Sequence, residues 1–147
     1  MPAHRRLPLS LKRDEALRVT RVSIGTKKLV YVLVTDKKLT YRNGRSRIAY
    51  IGTTENGVKR VAESAAFRAR RILSLRGVRT FHARIVTCRP RPNVRTWRKL
   101  ERALLLEFRR RYGGVPRRNV QGNRIKERDE FRYFRRKRVG AVIEELS

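Results

Sequence analysis

Cysteine is all but missing from this chain. Cys88 is the single one in 147 residues, which excludes an internal disulfide and a cysteine zinc cluster. Histidine is nearly as scarce: His4 and His82 stand alone and read as ordinary surface or strand residues. No apolar run approaches the ~20 residues that a bilayer-spanning helix needs, so no membrane partner is expected. The basic start, Met1 to Lys12, has no apolar core of the secretory type. An intracellular protein is expected from this, cytoplasmic or nucleoid-associated. Most telling is the shortage of acid. Asp and Glu number 12 against 40 Lys and Arg, a net charge of +28.

A domain with that excess repels itself strongly unless a polyanion neutralises it. Nucleic acid is the commonest such polyanion, because phosphate contacts release condensed counterions. Arginine outnumbers lysine, and its planar fork suits bidentate phosphate contact and stacking on bases. Hydrophobic residues make up 39% of the chain and fall in periodic segments, enough for one small core and unlike a disordered basic tail.

The segment Ser10 to Thr20 reads as a short helix anchored by Leu11, Leu17 and Val19. Lys28 to Thr35 (KLVYVLVT) is rich in β-branched and aromatic residues and reads as a strand. Arg47 to Gly52 is a second strand, and Asn43-Gly44 marks a turn within the polar connection Asp36 to Ser46. Asn56 to Leu75 is a helix, with Val58, Val61, Ala62, Ala65, Ala69, Ile72 and Leu73 as its apolar stripe and Gly77 closing it. Arg79 to Cys88 is a third strand. Thr96 reads as the N-cap of a helix that runs to Tyr112, where Gly113-Gly114 ends it. Glu130 to Phe134 is short and aromatic, and a last helix starts near Arg135. This order predicts an α+β fold: a small three-stranded antiparallel sheet flanked by helices, α-β-β-α-β-α-(loop)-α. The chain reads as a single domain, with its core over 29–119 and a C-terminal extension, 120–147, that carries a basic helix.

With acids so rare, Glu101 stands out. At about 100° per residue, Trp97, Leu104, Leu105 and Phe108 form an apolar stripe, and Glu101 falls inside it. A carboxylate there is partly desolvated and needs a cation. Two readings are open, an ion pair with one of the arginines or a divalent metal ligand. Glu107 points away from the stripe and reads as a solvated surface acid. On the earlier helix, Arg60, Ser64, Phe67 and Arg71 recur opposite the apolar stripe, a basic row with one aromatic that suits a phosphate-binding surface or a solvated face. Tyr31 and Tyr50 sit on neighbouring strands. Strand tyrosines usually pack half-buried, but near a metal and a guanidinium a phenol's pKa can fall enough for it to act as a base.

Together these pieces resemble the GIY-YIG nuclease family. Tyr50-Ile51-Gly52 is the intact second half of the family's name, and Leu29-Val30-Tyr31 is a degenerate first half that keeps the tyrosine. YIGTTENGVKR is similar to the family's passage into a helix with an early arginine, here Arg60. LERALL followed by GGVPRRN is similar to its glutamate helix and later Pro-x-x-Asn, matching Glu101 and Asn119. The span is about Leu29 to Asn119. Three departures are plain: the first glycine is replaced, the Tyr31–Tyr50 connection is lengthened by the basic segment Lys37 to Arg47, and Ser64 stands where many members have histidine or tyrosine.

The resemblance implies a metal-dependent endonuclease acting on DNA, with RNA also open as substrate. It implies one Mg²⁺ or Mn²⁺ held by Glu101, Tyr31 taking a proton from water, Tyr50 orienting, and Arg60 neutralising charge on the phosphate. Gly52 and Asn119 would support the site. Lys59, Arg68, Arg71, Arg117, Arg118, Arg135, Arg136 and Arg138 are the expected backbone contacts. The competing reading is a non-catalytic, basic nucleic-acid-binding protein of the ribosomal or architectural kind.

Overall fold

The computed structural model describes residues 6–15, 18, 26–120 and 124–147. Its sheet is built from β1 (Leu29–Tyr41), β2 (Gly44–Thr54) and β3 (Phe81–Val86), all antiparallel in the order β2-β1-β3. The helices are α1 (Gly57–Leu73), α2 (Thr96–Tyr112), the single turn α3 (Glu130–Tyr133) and α4 (Arg136–Leu146). The fold is thus α+β, with strands and long helices in the expected order.

The central strand explains the layering. LVYVLV is apolar at every position, so β1 is buried on both faces. Alternation sends Val30, Val32 and Val34 to one side, where Ile48, Leu100, Leu104, Phe108, Val139 and Ile143 close a core under α2 and α4. Leu29, Tyr31 and Leu33 go to the other side and meet Ala49, Val61 and Ile72 under α1. The extension therefore shares the main core: α4 contributes Val139, Ile143 and Leu146 to it.

Several boundaries differ from the sequence reading. The polar connection Asp36 to Ser46 is mostly strand. β1 and β2 continue past Asp36 to the Asn43-Gly44 turn, with register irregularities between Leu33 and Leu39. There the Thr35 hydroxyl donates toward the carbonyls of Lys37 and Arg47, filling the gap that the lost ladder pairs leave. Exposed Asp36, Lys37 and Lys38 hid this strand from a reading based on hydrophobicity. Thr96 is the first helical residue of α2, not its cap. Arg95 takes the cap position, and no side chain caps the helix. At the far end Gly113, at φ 79°, makes the left-handed turn that stops α2. α1 stops at Leu73, before Gly77, and Val58 and Leu73 lie exposed beside its buried stripe. Of the helix expected over Ser10 to Thr20, residues 10–15 and Arg18 are not helical, and the remaining positions lie outside the described residues.

β2 is an edge strand, yet its outer backbone groups are covered. Arg118 N–H donates to the Ala49 carbonyl, and Arg47 N–H to that of Ser147. Asn119 accepts from Ile51 N–H through Oδ1 at 3.0 Å and donates to the Ile51 carbonyl through Nδ2 at 2.8 Å. An edge so occupied is closed to pairing with another chain. No described helix is long and apolar enough to cross a membrane.

Candidate functional site

The Tyr50-Ile51-Gly52 tripeptide ends β2, where it faces two helices. Tyr50 and Gly52 point toward α1. Gly52 pairs with Tyr31 across the ladder. Both phenol rings close over it: a Cβ on Gly52 would lie 2.6 Å from a Tyr50 ring carbon and 2.8 Å from the Tyr31 hydroxyl. No residue larger than glycine fits without moving them. The rings stand 5.9 Å apart.

Each phenol has a partner from α1. The Tyr31 hydroxyl shares a 2.6 Å hydrogen bond with the Ser64 Oγ. The Tyr50 hydroxyl accepts from Arg68 at 2.8 Å, and the Arg68 guanidinium also lies 3.9 Å over the Tyr50 ring. Burial pushes the Tyr50 phenol up to about 12, with Tyr31 adding to the shift and Arg68 opposing it. The sequence allowed for a lowered phenol here. For Tyr50 the shift is in the opposite direction, because desolvation outweighs the one guanidinium. Ser64 also leaves the exposed row assigned to it: it is buried against the sheet, on the flank of α1 that carries Val61 and Ile72.

Glu101 approaches from the opposite face. By strand alternation Thr53 points to the α2 side, and its side chain interacts with the Glu101 carboxyl. Glu101 is half-buried, and its carboxyl is raised above the ordinary value. Burial is the main cause; Thr53, Arg98 and Arg102 act against it without cancelling it. Among the described residues Glu101 makes no ion pair within 4.0 Å. The carboxylate adds slightly to the upward shift of the Tyr50 phenol.

Arg60 lines a cleft of about 220 Å³ with Thr53, Thr54, Glu55, Asn56, Trp97 and Arg98. Glu101 does not line the cleft itself but interacts with Thr53, which does. Tyr31 and Tyr50 do not line it. Arg60 makes one exposed ion pair, 3.1 Å to Glu63, which holds it weakly. Thr53 and Arg98 escaped the sequence reading, and Trp97 was read only as part of the apolar stripe. Thr53 follows the tripeptide directly, and its even spacing from Ile51, which faces the α2 core, was the available signal for its direction.

Glu107 corrects the sequence reading. Its side chain is 1% exposed and receives both Arg110 (2.7 Å) and Arg111 (3.1 Å). Burial alone would raise its carboxyl, but the two guanidinia together hold it below the ordinary value. Helix α4 closes over a position that wheel geometry alone had left in solvent: a Cβ on Gly140 would lie 3.2 Å from the Glu107 Oε1. Glu130, likewise 1% exposed, is held by Arg102 at 2.7 Å and by the Arg128 N–H.

The expected backbone contacts divide in two. Lys59, Arg71, Arg135 and Arg138 are exposed. The others are engaged with the protein itself. Arg68 is held by Tyr50, and Arg118 donates to the Arg71 carbonyl. Arg117 donates to the Thr40 carbonyl, while Arg136 stacks 3.8 Å over Phe131 and pairs with Glu127. Asn119 pins Ile51, the middle of the tripeptide, and does not touch the Glu101 side of the cleft directly.

As a metal site the donor set is sparse. No group of three or more His, Cys, Asp or Glu gathers among the described residues. A single carboxylate still suits Mg²⁺ or Mn²⁺, which commonly keep most of their waters and take one or two carboxylates. No protein-family model matches the chain, and no curated protein or solved structure matches it.

Proposed function

We propose that this chain is a metal-dependent endonuclease that hydrolyses phosphodiester bonds in DNA. One observation carries the reading. In a chain with 40 cationic side chains, Glu101 is half-buried beside a cleft and has no cation within ion-pair distance among the described residues. The arginine-rich surroundings offered neutralisation, as Glu107 and Glu130 demonstrate, and Glu101 is left without it. A desolvated carboxylate in that state favours a divalent cation.

When bound, the cation would polarise the scissile phosphate and stabilise the leaving oxygen. Glu101 would hold it, with Thr53 orienting the carboxyl. Tyr31, as a phenolate accepting the Ser64 hydroxyl proton in their 2.6 Å hydrogen bond and with its own proton passed to solvent, would be the leading group to accept a proton from the attacking water. Tyr50 is a poorer base in its raised state and serves better as a positioned donor, oriented by Arg68. Arg60, free to leave its exposed pair with Glu63, would neutralise charge that develops on the phosphate. Gly52 lets both phenols approach, and Asn119 fixes the backbone between them.

A non-catalytic nucleic-acid-binding protein is the second reading, and the observation that favours it is that Tyr31 and Tyr50 do not line the cleft that Arg60 lines. Purified protein incubated with DNA in Mg²⁺ or Mn²⁺ separates the two. Cleavage by the wild-type chain, lost in Glu101→Ala with binding retained, is the expected result. Cleavage that persists in that variant, or no cleavage at all alongside tight binding, would sink the nuclease reading.

A further inference from the structure

Phe67 is the one aromatic side chain of this protein that lies open to solvent. It is 82% exposed on α1, while every other Phe, Tyr and Trp is buried or half-buried. Its neighbours are not apolar. At about 100° per residue, Arg60, Glu63 and Arg71 fall within about 40° of Phe67 on the helix surface, Glu63 being the exposed partner of Arg60. Lys59 and Arg70 flank the same side, and all four cations are exposed. Behind the ring stands a row of planar groups. The Arg68 guanidinium is 5.8 Å from the Phe67 ring centre and 3.9 Å from that of Tyr50, and Tyr50 in turn lies 5.9 Å from Tyr31. Solvent-exposed Phe67 is thus the outermost member of a row that ends at the tyrosine pair.

We infer that Phe67 is a stacking platform for an unpaired base, so that the substrate presented to this site is single-stranded or locally unpaired. The inference rests on the nuclease reading, whose substrate class it names. Phosphates alone need only the cations. An exposed ring among them adds a flat apolar surface that matches the face of a base, and base–aromatic stacking is tolerant of sequence. In a fully paired duplex those base faces are covered by their neighbours. A protein partner docking on Phe67 would have to desolvate the four surrounding cations, which is costly. A nucleic acid neutralises them while it stacks.

The test measures binding by the full chain to a labelled oligo-dT strand and to a fully paired hairpin duplex, in chelator so that no cleavage intervenes. Phe67→Ala should weaken oligo-dT binding about tenfold or more while changing duplex binding by about twofold at most. Phe67→Trp should restore the oligo-dT affinity and add fluorescence quenching beyond that of the wild-type chain. An exposed ring contributes little to packing, so the Tm of Phe67→Ala should match wild type. Equal losses on both ligands, or no loss on oligo-dT, would overturn the inference. Because binding is read without metal, the two proposals fail separately. Selective loss in Phe67→Ala supports the platform even if Glu101→Ala leaves cleavage intact. Glu101-dependent cleavage with no selective loss removes the platform and leaves the nuclease.

Discussion

Helix α2 carries two acids six positions apart in opposite electrostatic situations. Glu107 is almost fully enclosed, gripped by Arg110 and Arg111, and its carboxyl sits below the ordinary range. Glu101 is less enclosed, meets only the Thr53 side chain closely, and its carboxyl sits above it. Both are in the same sea of arginine, so the difference is one of placement. The arginines that serve Glu107 are three and four residues further along the same helix, the spacing at which side chains meet. Three and four residues after Glu101 stand Leu104 and Leu105, which belong to the core, and Arg98, three residues before it, acts on the carboxyl only electrostatically, without an ion pair within 4.0 Å among the described residues. One acid is neutralised as a pair, and the other, on the proposed reading, takes a divalent cation from outside.

The comparison is broken most directly at Glu101. Glu101→Ala should reduce DNA cleavage by more than about a hundredfold, the scale expected when a metal's several kcal/mol of charge stabilisation are lost. Glu107→Ala should leave the rate per folded molecule near wild type. Single-turnover cleavage with Mn²⁺ measures both, and equal losses in the two variants would erase the proposed difference. Next in size is Gly52→Ala. The added methyl would sit 2.6 to 2.8 Å from the two phenols, and overpacking of this kind costs about 1–3 kcal/mol. Cleavage should fall about tenfold or more through displaced tyrosines, with a lower Tm. A variant of wild-type activity would show that the phenols' spacing over Gly52 is immaterial.

The two acids also mark how far sequence reasoning reaches. Strand β1 was legible because LVYVLV is apolar on both faces, and the helices were legible from their stripes. Glu101 was legible because it interrupts a stripe. Glu107 was misread for the same reason that the method works elsewhere: a helical wheel knows one contact face, and α2 has more than one. α4 covers the side that the wheel assigns to water, and that contact lies about thirty residues further along the chain. The long hairpin was missed because polar residues form its outer half, where pairing to the partner strand and a bulge replace hydrophobic patterning. Ser64 was read as a departure from the family's pattern and as part of an exposed row, but its hydroxyl is where the Tyr31 phenol finds its partner, 33 residues away in sequence. Long-range hydrogen bonds of that kind leave no periodic trace.

On stability the ranking reverses. Glu107→Gln should destabilise the fold by about 1–3 kcal/mol, because it leaves two guanidinia facing a buried neutral amide. Its folded carboxyl is depressed, so the stabilisation is fully present above the ordinary value of 4.5 and is lost as pH falls through the lower folded value. The Tm gap between wild type and Glu107→Gln should therefore be widest near neutral pH and close below about pH 4. A gap that stays constant with pH would show that the pair contributes packing and no charge.

Glu101→Gln is the smallest effect and the finest test of the contrast. A carboxyl raised in the folded state is more stable protonated there, so the charged form costs stability above the folded value, and that cost disappears as pH falls toward 4.5. In metal-free buffer near neutral pH, Glu101→Gln should melt at the wild-type temperature or a degree or two above it. Added Mn²⁺ should then raise the Tm of wild type and leave Glu101→Gln unmoved, since only a ligand that binds the folded state stabilises it. A destabilised Glu101→Gln would place this acid with Glu107, as one more structural partner for arginine and not a carboxylate reserved for a cation.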